Sequence, residues 1–366
     1  IMKNFKIGFI GLGLIGGSVA KSIKRIFPGY KIVGYDTDKE TLTVALKDHT
    51  LNVIADNIVP DITDCDYIFL CAPVHYNIEY LKQLKPYLKA HTILTEVGSV
   101  KTDIYDAVIE LGLTDYFIGG HPMVGSERSG YDAASDRLIE NAYYFITPSD
   151  TVEDSRVEEF TTFISDLGAI PIQYSPAMHD RITSYISHVP HVIAAALANL
   201  ARNADSANGI FKSLAAGGFK DITRIASSNP VVWEHILLSN PKNVVNGLKE
   251  YIDLINQIIT DIENNDGAAI NSFFASSREY RDSIPNNTSG VIRMFHELFV
   301  DIPDEPGAIA KITAILAEHN INLKNLGISH NREDEEGVLR ISFYDKTALS
   351  EARTLLDKCG YKIYNR

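Results

Sequence analysis

The 366-residue chain reads as an α/β protein in three parts, a doubly wound domain, an all-helical domain and a small ferredoxin-like domain. Three observations predict this. A glycine-rich turn joins a short apolar run to a helical pattern near the start. Helical periodicity then displaces all strand signals from Pro176 to about Arg281. A β-α-β-β-α-β order closes the sequence. The expected boundaries are 1–174, 175–284 and 295–366, with 285–294 as a linker. A chain this long exceeds one hydrophobic core, so several domains are the natural expectation.

The first run, Lys6 to Ile10, leads into Gly11-Leu12-Gly13-Leu14-Ile15-Gly16, and helical periodicity is clear from Val19 to about Ile26. A second strand, Lys31–Tyr35, ends on Asp36, twenty residues after the last motif glycine. Strand, G-x-G-x-x-G, helix, strand and acid together form the Rossmann dinucleotide fingerprint. Gly11 permits the tight turn, Gly13 admits a pyrophosphate, and Gly16 lets the helix pack on the strand. The helix start at Leu14 and Ile15 offers unpaired N–H groups to the phosphates. Asp36 can accept both ribose hydroxyls and would repel a 2′-phosphate, so NAD is the expected cofactor.

Further strands are expected at Tyr67–Cys71, Thr92–Thr95, Phe117–Ile118, Tyr143–Ile146 and Ala169–Ile172, with helices between them. Ligands of such a sheet sit beyond the carboxyl ends of its strands. Pro73, Ser99 and His121 all follow such ends. His121 opens the long irregular stretch His121-Pro122-Met123-Val124-Gly125-Ser126-Glu127-Arg128, and it is the expected substrate-contacting imidazole. Ser99 is expected to cap the next helix, and Lys101 to be a solvated first-turn residue.

In the helical part, Met178 to His191 forms one long pattern. On a regular helix Ser187 and His191 share a face, while His179 and His188 are opposite, so not all three histidines should enter one pocket, although Pro190 should disturb the helix. The stretch Gly217 to Ser228 places Lys220 and Arg224 one turn apart, and Arg224 offers a fork for a carboxylate. Asn229-Pro230 starts a helix containing Trp233. The long helices Val244–Ile262 and Ala268–Arg281 have broad apolar faces, which predicts a homodimer. After the linker come a strand at 295–300, a helix at Gly307–Glu318, strands near Leu323–Ser329 and Val338–Tyr344, a helix at Leu349–Lys358 and a last strand.

With 47 acidic against 34 basic residues, a net charge of −13 argues against nucleic acid or an anionic membrane as partner. No apolar window is long enough to span a bilayer. The start shows no secretory or transit pattern, and Cys65, Cys71 and Cys359 lack metal-ligand spacing. A cytoplasmic protein without metal is expected.

Taken together, the glycine motif, Gly98-Ser99-Val100-Lys101, His121-Pro122-Met123 with Gly125 and Glu127, Ser187-His188-Val189-Pro190-His191 and Gly218-Phe219-Lys220-Asp221-Ile222-Thr223-Arg224 resemble prephenate dehydrogenases of tyrosine biosynthesis. The resemblance spans nearly the whole chain. Lys220 departs from it, since arginine is more usual there. Asp304-Glu305-Pro306-Gly307-Ala308-Ile309 resembles the signature of an ACT domain.

The resemblance implies NAD-dependent oxidative decarboxylation of prephenate, with arogenate as the alternative substrate. It implies that His121 takes the C4-hydroxyl proton, Ser99 orients it, and Arg224 holds a carboxylate. Ser187 and His191 would meet the pyruvyl end, Glu127 would line or gate the pocket, and His179 and Trp233 align with pocket positions. Tyrosine would bind at Pro306, Gly307, Ala308 and Asn325 as a feedback inhibitor. Two other readings compete: a 3-hydroxyacid dehydrogenase using Lys220, and a regulator that senses NAD and an amino acid.

Overall fold

A computed structural model describes residues 5–125, 128–206, 208–284, 296–303, 305–329 and 337–364. The chain folds as two compact units, Ile1–Gly290 and Val291–Arg366. The expected linker at 285–294, and Glu127, lie outside the described residues.

The first unit opens with β1 (Lys6–Ile10), α1 (Leu14–Ile26), β2 (Lys31–Tyr35), α2 (Lys39–Lys47), β3 (Val53–Ile54), β4 (Tyr67–Leu70), α3 (Val74–Leu84), β5 (Ile93–Glu96) and α4 (Thr102–Glu110). It continues with β6 (Ile118–Pro122), β7 (Tyr143–Pro148), α5 (Asp154–Asp166) and β8 (Ile170–Gln173). The first five strands form a parallel sheet in the order β3-β2-β1-β4-β5. Alternation along β1 sends Ile7 and Phe9 into the core on one face and Ile10 into the core on the other. Burial on both faces is why these strands read as continuous apolar runs rather than alternating ones.

The expectation of one parallel sheet needs correction. β6 runs antiparallel to β7, in a second sheet of order β6-β7-β8, and a Leu94–Phe117 bridge connects it to β5. His121 therefore lies inside β6, not beyond its end. Gly119 and Gly120 belong to that strand as well. A Cβ on Gly120 would stand 2.7 Å from the Tyr144 hydroxyl and 2.8 Å from the Glu96 carbonyl. Close strand packing, not approach to a ligand, explains this glycine.

The helical part comprises α6 (Pro176–Thr183), a π-helical turn (Ser184–His188), α7 (Val189–Ala204), α8 (Ile210–Leu214), α9 (Gly217–Thr223), α10 (Pro230–Ser239), α11 (Pro241–Glu263) and α12 (Gly267–Ser283). No described helix is long and apolar enough to cross a membrane. In the second unit, β9 (His296–Ile302), α13 (Ala308–Glu318), β10 (Leu323–Ser329), β11 (Gly337–Phe343), α14 (Lys346–Lys358) and β12 (Ile363–Tyr364) give the expected β-α-β-β-α-β order. Its antiparallel sheet runs β10-β11-β9-β12 over a core of Leu298, Val300, Ile312, Leu316, Leu339 and Leu356.

The nucleotide turn depends on space. Gly11 has φ +96°, and a Cβ on Gly16 would lie 2.4 Å from the Gly11 carbonyl oxygen. Gly16→Ala is predicted to cost about 1–3 kcal/mol by overpacking and to weaken nucleotide binding. Chemical denaturation and a binding titration check this; unchanged values for both would contradict it.

Candidate active site

At the carboxyl end of β1, the turn Gly11–Gly13 leads into α1, whose N-cap residue Gly13 makes no side-chain cap. A Cβ on Gly13 would meet no atom within 4 Å, which leaves room for a phosphate to approach the backbone and the first N–H groups at Leu14 and Ile15. Asp36 fixes this turn: its carboxylate accepts from the Leu12 amide at 2.7 Å and the Asp38 amide at 2.9 Å. Carboxylate oxygens have further lone pairs, so ribose hydroxyls can still be accepted. Pro73 caps α3, and the Asn77 side chain pins that turn through the Ala72 amide (3.2 Å) and carbonyl (2.8 Å). These residues fit a dinucleotide.

The second half of the site is built on His121. Its Nδ1 lies 2.8 Å from Nε2 of His179, and Nδ1 of His179 lies 2.8 Å from Oδ1 of Asp180. Hydrogen bonds from His179, Thr102 and the Lys101 amide hold the Asp180 carboxyl below its usual range, although burial alone acts the other way. Asp180 is thus ionised and accepts, so His179 Nδ1 carries the proton. Burial, above all, lowers the proton affinity of both imidazoles and keeps them neutral. His179 Nε2 must then accept from His121 Nδ1–H. The remaining His121 nitrogen, Nε2, is left as an acceptor. Phe145 stacks on His121 at 6.1 Å and meets His179 edge-on at 4.7 Å.

Asp180 does a second job. It accepts from the Lys101 amide at 2.8 Å and from the Thr102 amide at 2.8 Å, and so caps α4 from a residue nearly eighty positions away. Ser99 is not that cap, because α4 begins at Thr102. Among the described residues His121 is held by His179 rather than by Ser99, which is half-buried in the segment before α4. Lys101 is not a solvated residue: its side chain is 1% exposed, pairs with the fully buried Glu96, and donates to the Gly120 carbonyl at 2.7 Å.

The histidines of the long helix do converge, contrary to the regular-helix expectation. The amide of Val189 bonds Ser184 five residues back, and this π turn adds one residue to the helical path. His179 and His188 then stand roughly 80° apart rather than 180°. Buried His188 lies close enough to His121 to oppose its protonation. His188 meets Trp233 edge-on at 6.1 Å, and His191 stacks on Trp233 at 3.8 Å. His191 Nδ1 donates to the Ser187 carbonyl at 2.9 Å, which leaves its Nε2 as acceptor. Burial and then the nearby Arg224 cation lower the His191 pKa. Arg224 opens a 3₁₀ turn after α9, and both it and Lys220 are exposed.

In the second unit, Gly307 has φ +90° at the start of α13, next to exposed Pro306 and buried Ala308. Exposed Asn325 sits beside a register shift in β10, and its side chain accepts from the Leu326 amide at 2.8 Å.

Sequence reasoning missed Asp180, Glu96, Lys101 and Asn77 as site-building residues. Only Asp180 carried a local signal, an acid directly after a histidine. The neutral histidines also set a pH dependence. Burial lowers the pKa of His121 and His179, and takes His188 to about 4, whereas the unfolded chain titrates near 6.5. Below that value the unfolded state binds protons that the folded state refuses, so stability is full above it and lost as pH falls. The melting temperature is predicted to drop between about pH 7.5 and about pH 5.5. A flat melting temperature across that window would contradict neutral burial.

Comparison with known proteins bears on this arrangement. Residues 19–173 match the prephenate dehydrogenase nucleotide-binding domain, 175–276 the prephenate dehydrogenase dimerization domain, and 296–355 the ACT domain. A prephenate dehydrogenase of Bacillus subtilis (strain 168) is 39% identical over 335 residues, covering 91% of this chain and 90% of that protein. The crystal structure of prephenate dehydrogenase from A. aeolicus with hydroxyphenyl propionate and NAD+ is similar at TM-score 0.72 and 28% identity, over 78% of this chain and 99% of that one. The structure of Synechocystis arogenate dehydrogenase is similar at TM-score 0.69 and 29% identity, over 76% of this chain and all of that one. With the nucleotide-binding, dimerization and ACT domains matched in order, and a relative 39% identical over most of both chains, the chain belongs to the prephenate dehydrogenase family.

Proposed function

We propose that the chain catalyses NAD-dependent oxidative decarboxylation of prephenate to 4-hydroxyphenylpyruvate. One observation carries this reading: the His121–His179–Asp180 chain leaves His121 Nε2 as a neutral proton acceptor. Prephenate is a cyclohexadiene with a C4 hydroxyl, a ring carboxylate and a pyruvyl side chain. When bound, NAD supplies the acceptor for the C4 hydride. His121 Nε2 takes the hydroxyl proton as that C–H bond breaks, then returns it to the phenolate oxygen after CO₂ leaves. The ring gains aromaticity, so the protein needs to supply only orientation, a base and anion clamps.

Arg224 suits a substrate carboxylate as a bidentate partner. His191 would meet the pyruvyl end, a reading supported by its stacking on Trp233 and its bond to the Ser187 carbonyl. The similarity to an arogenate dehydrogenase supports arogenate as a second substrate reading, with an ammonium in place of the keto oxygen. The Arg224 cation close to His191 disfavours an ammonium there and so supports the keto acid.

The dimerization-domain match supports a homodimer formed through the helical part. There, Leu238, Leu254, Ile262 and Phe274 are exposed on α10, α11 and α12. The ACT-domain match supports tyrosine as a feedback inhibitor bound near Gly307.

His121→Asn is predicted to lower turnover of prephenate by about 10²–10⁴-fold while NAD affinity survives. Retained turnover would refute the assignment of the base. kcat/KM for prephenate is predicted to exceed that for arogenate; the reverse order would favour the second substrate. Removing residues 291–366 is predicted to abolish tyrosine inhibition and spare NADH production. Inhibition that persists in the shortened protein would place tyrosine at the active site instead.

A further inference from the structure

Lys101 and Glu96 pair beneath the histidine site at 1% and 0% side-chain exposure; burial pushes the Lys101 pKa down and that of Glu96 up, and their mutual attraction opposes both shifts. Nothing about nucleotide binding or sheet formation requires a buried ion pair here. Burying two charges costs several kcal/mol before their attraction is counted, and an apolar pair of similar volume often serves stability better. Its contacts converge on the residue that precedes His121. The Lys101 ammonium donates to the Gly120 carbonyl as well as to Glu96, and Glu96 accepts from the Gly98 amide at 2.7 Å. The Gly120 backbone also bonds Glu96, so both members of the pair grip that stretch of β6. The Lys101 amide, in turn, is bonded to the carboxylate that orients His179.

Resting on the reaction proposed above, we propose that Lys101 is a positioning residue. Held by Glu96, it fixes the strand position that presents His121 and keeps a buried cation beside the His121–His179 pair. The charged and titratable groups around the two imidazoles are Lys101 and Glu96 below, Asp180 on α6, and His188 on the π turn. Cys71 and Tyr144 lie against Glu96, and both are neutral because burial raises their pKa values. The Lys101 cation opposes protonation of both His121 and His179. Asp180 acts the other way on His179. Lys101 thus offsets the pull of Asp180, so the relay can orient His121 without charging it.

The test is the double variant Glu96→Gln/Lys101→Met, which removes both charges and approximates both shapes. Turnover of prephenate should fall by about 10-fold to 10²-fold, as for a base displaced within its site. The acid-side midpoint of the kcat/KM profile should move to higher pH, and NAD affinity should stay unchanged. A loss of turnover with an unmoved midpoint, or unchanged turnover, overturns the proposal. A variant that fails to fold leaves the wild-type measurement: ¹⁵N-lysine NMR of the full chain at neutral pH should show one slowly exchanging, charged ammonium for Lys101. A neutral amine there overturns the proposal by itself. Wild-type enzyme assayed in parallel separates the two ideas. Its failure to form NADH from prephenate would condemn the reaction assignment, whereas a defect in the variant's profile concerns Lys101 alone.

Discussion

Asp180 accepts hydrogen bonds from the amides of Lys101 and Thr102, from the Thr102 hydroxyl and from His179 Nδ1. Two of these donors are the free N–H groups at the start of α4, where a negative charge is favoured by the helix dipole. The same carboxylate therefore ends a helix of the nucleotide half and sets the tautomer of a histidine in the helical half. Remove its charge and both would loosen together. His179 would lose its fixed proton, His121 its oriented partner, and α4 its cap. The placement of β6, the π turn and the aromatic wedge at Phe145 all refine a geometry that Asp180 defines.

The other requirement is neutrality at the base. An enzyme with a net charge of −13 that acts on an anionic acid needs local cations, and it needs them without protonating its own histidines. In the proposed reaction Arg224, exposed and near His191, would answer the first need. Lys101 is buried, paired and out of a substrate's reach, and its field acts on the imidazoles instead. Position, not residue type, separates the two roles.

Local chemistry made part of this legible in the sequence. The turn at Gly11–Gly16 and Asp36 lie within one βαβ unit, where each residue type follows from backbone geometry, and the β-α-β-β-α-β tail follows from periodicity. His121 stood out because glycines and a proline surround it. What stayed hidden depends on long-range contact. Asp180 meets Lys101 across 79 residues, and Lys101 meets Gly120 across 19. A lysine after Gly98-Ser99-Val100 looks solvated until a buried Glu96 is found beside it. The π turn at Ser184–His188 has no periodic signature, so helical-wheel arithmetic separated histidines that the fold brings together. The antiparallel turn of β6 likewise moved His121 from a loop into a strand, which is a firmer seat for the proposed base.

The central claim is that His121 is neutral, with its proton on Nδ1 and its Nε2 open. ¹⁵N NMR of the histidine ring in the full-length protein at neutral pH tests this most directly. The account predicts a protonated Nδ1 bonded to His179 and an unprotonated Nε2. An imidazolium, or the tautomer with its proton on Nε2, would contradict it.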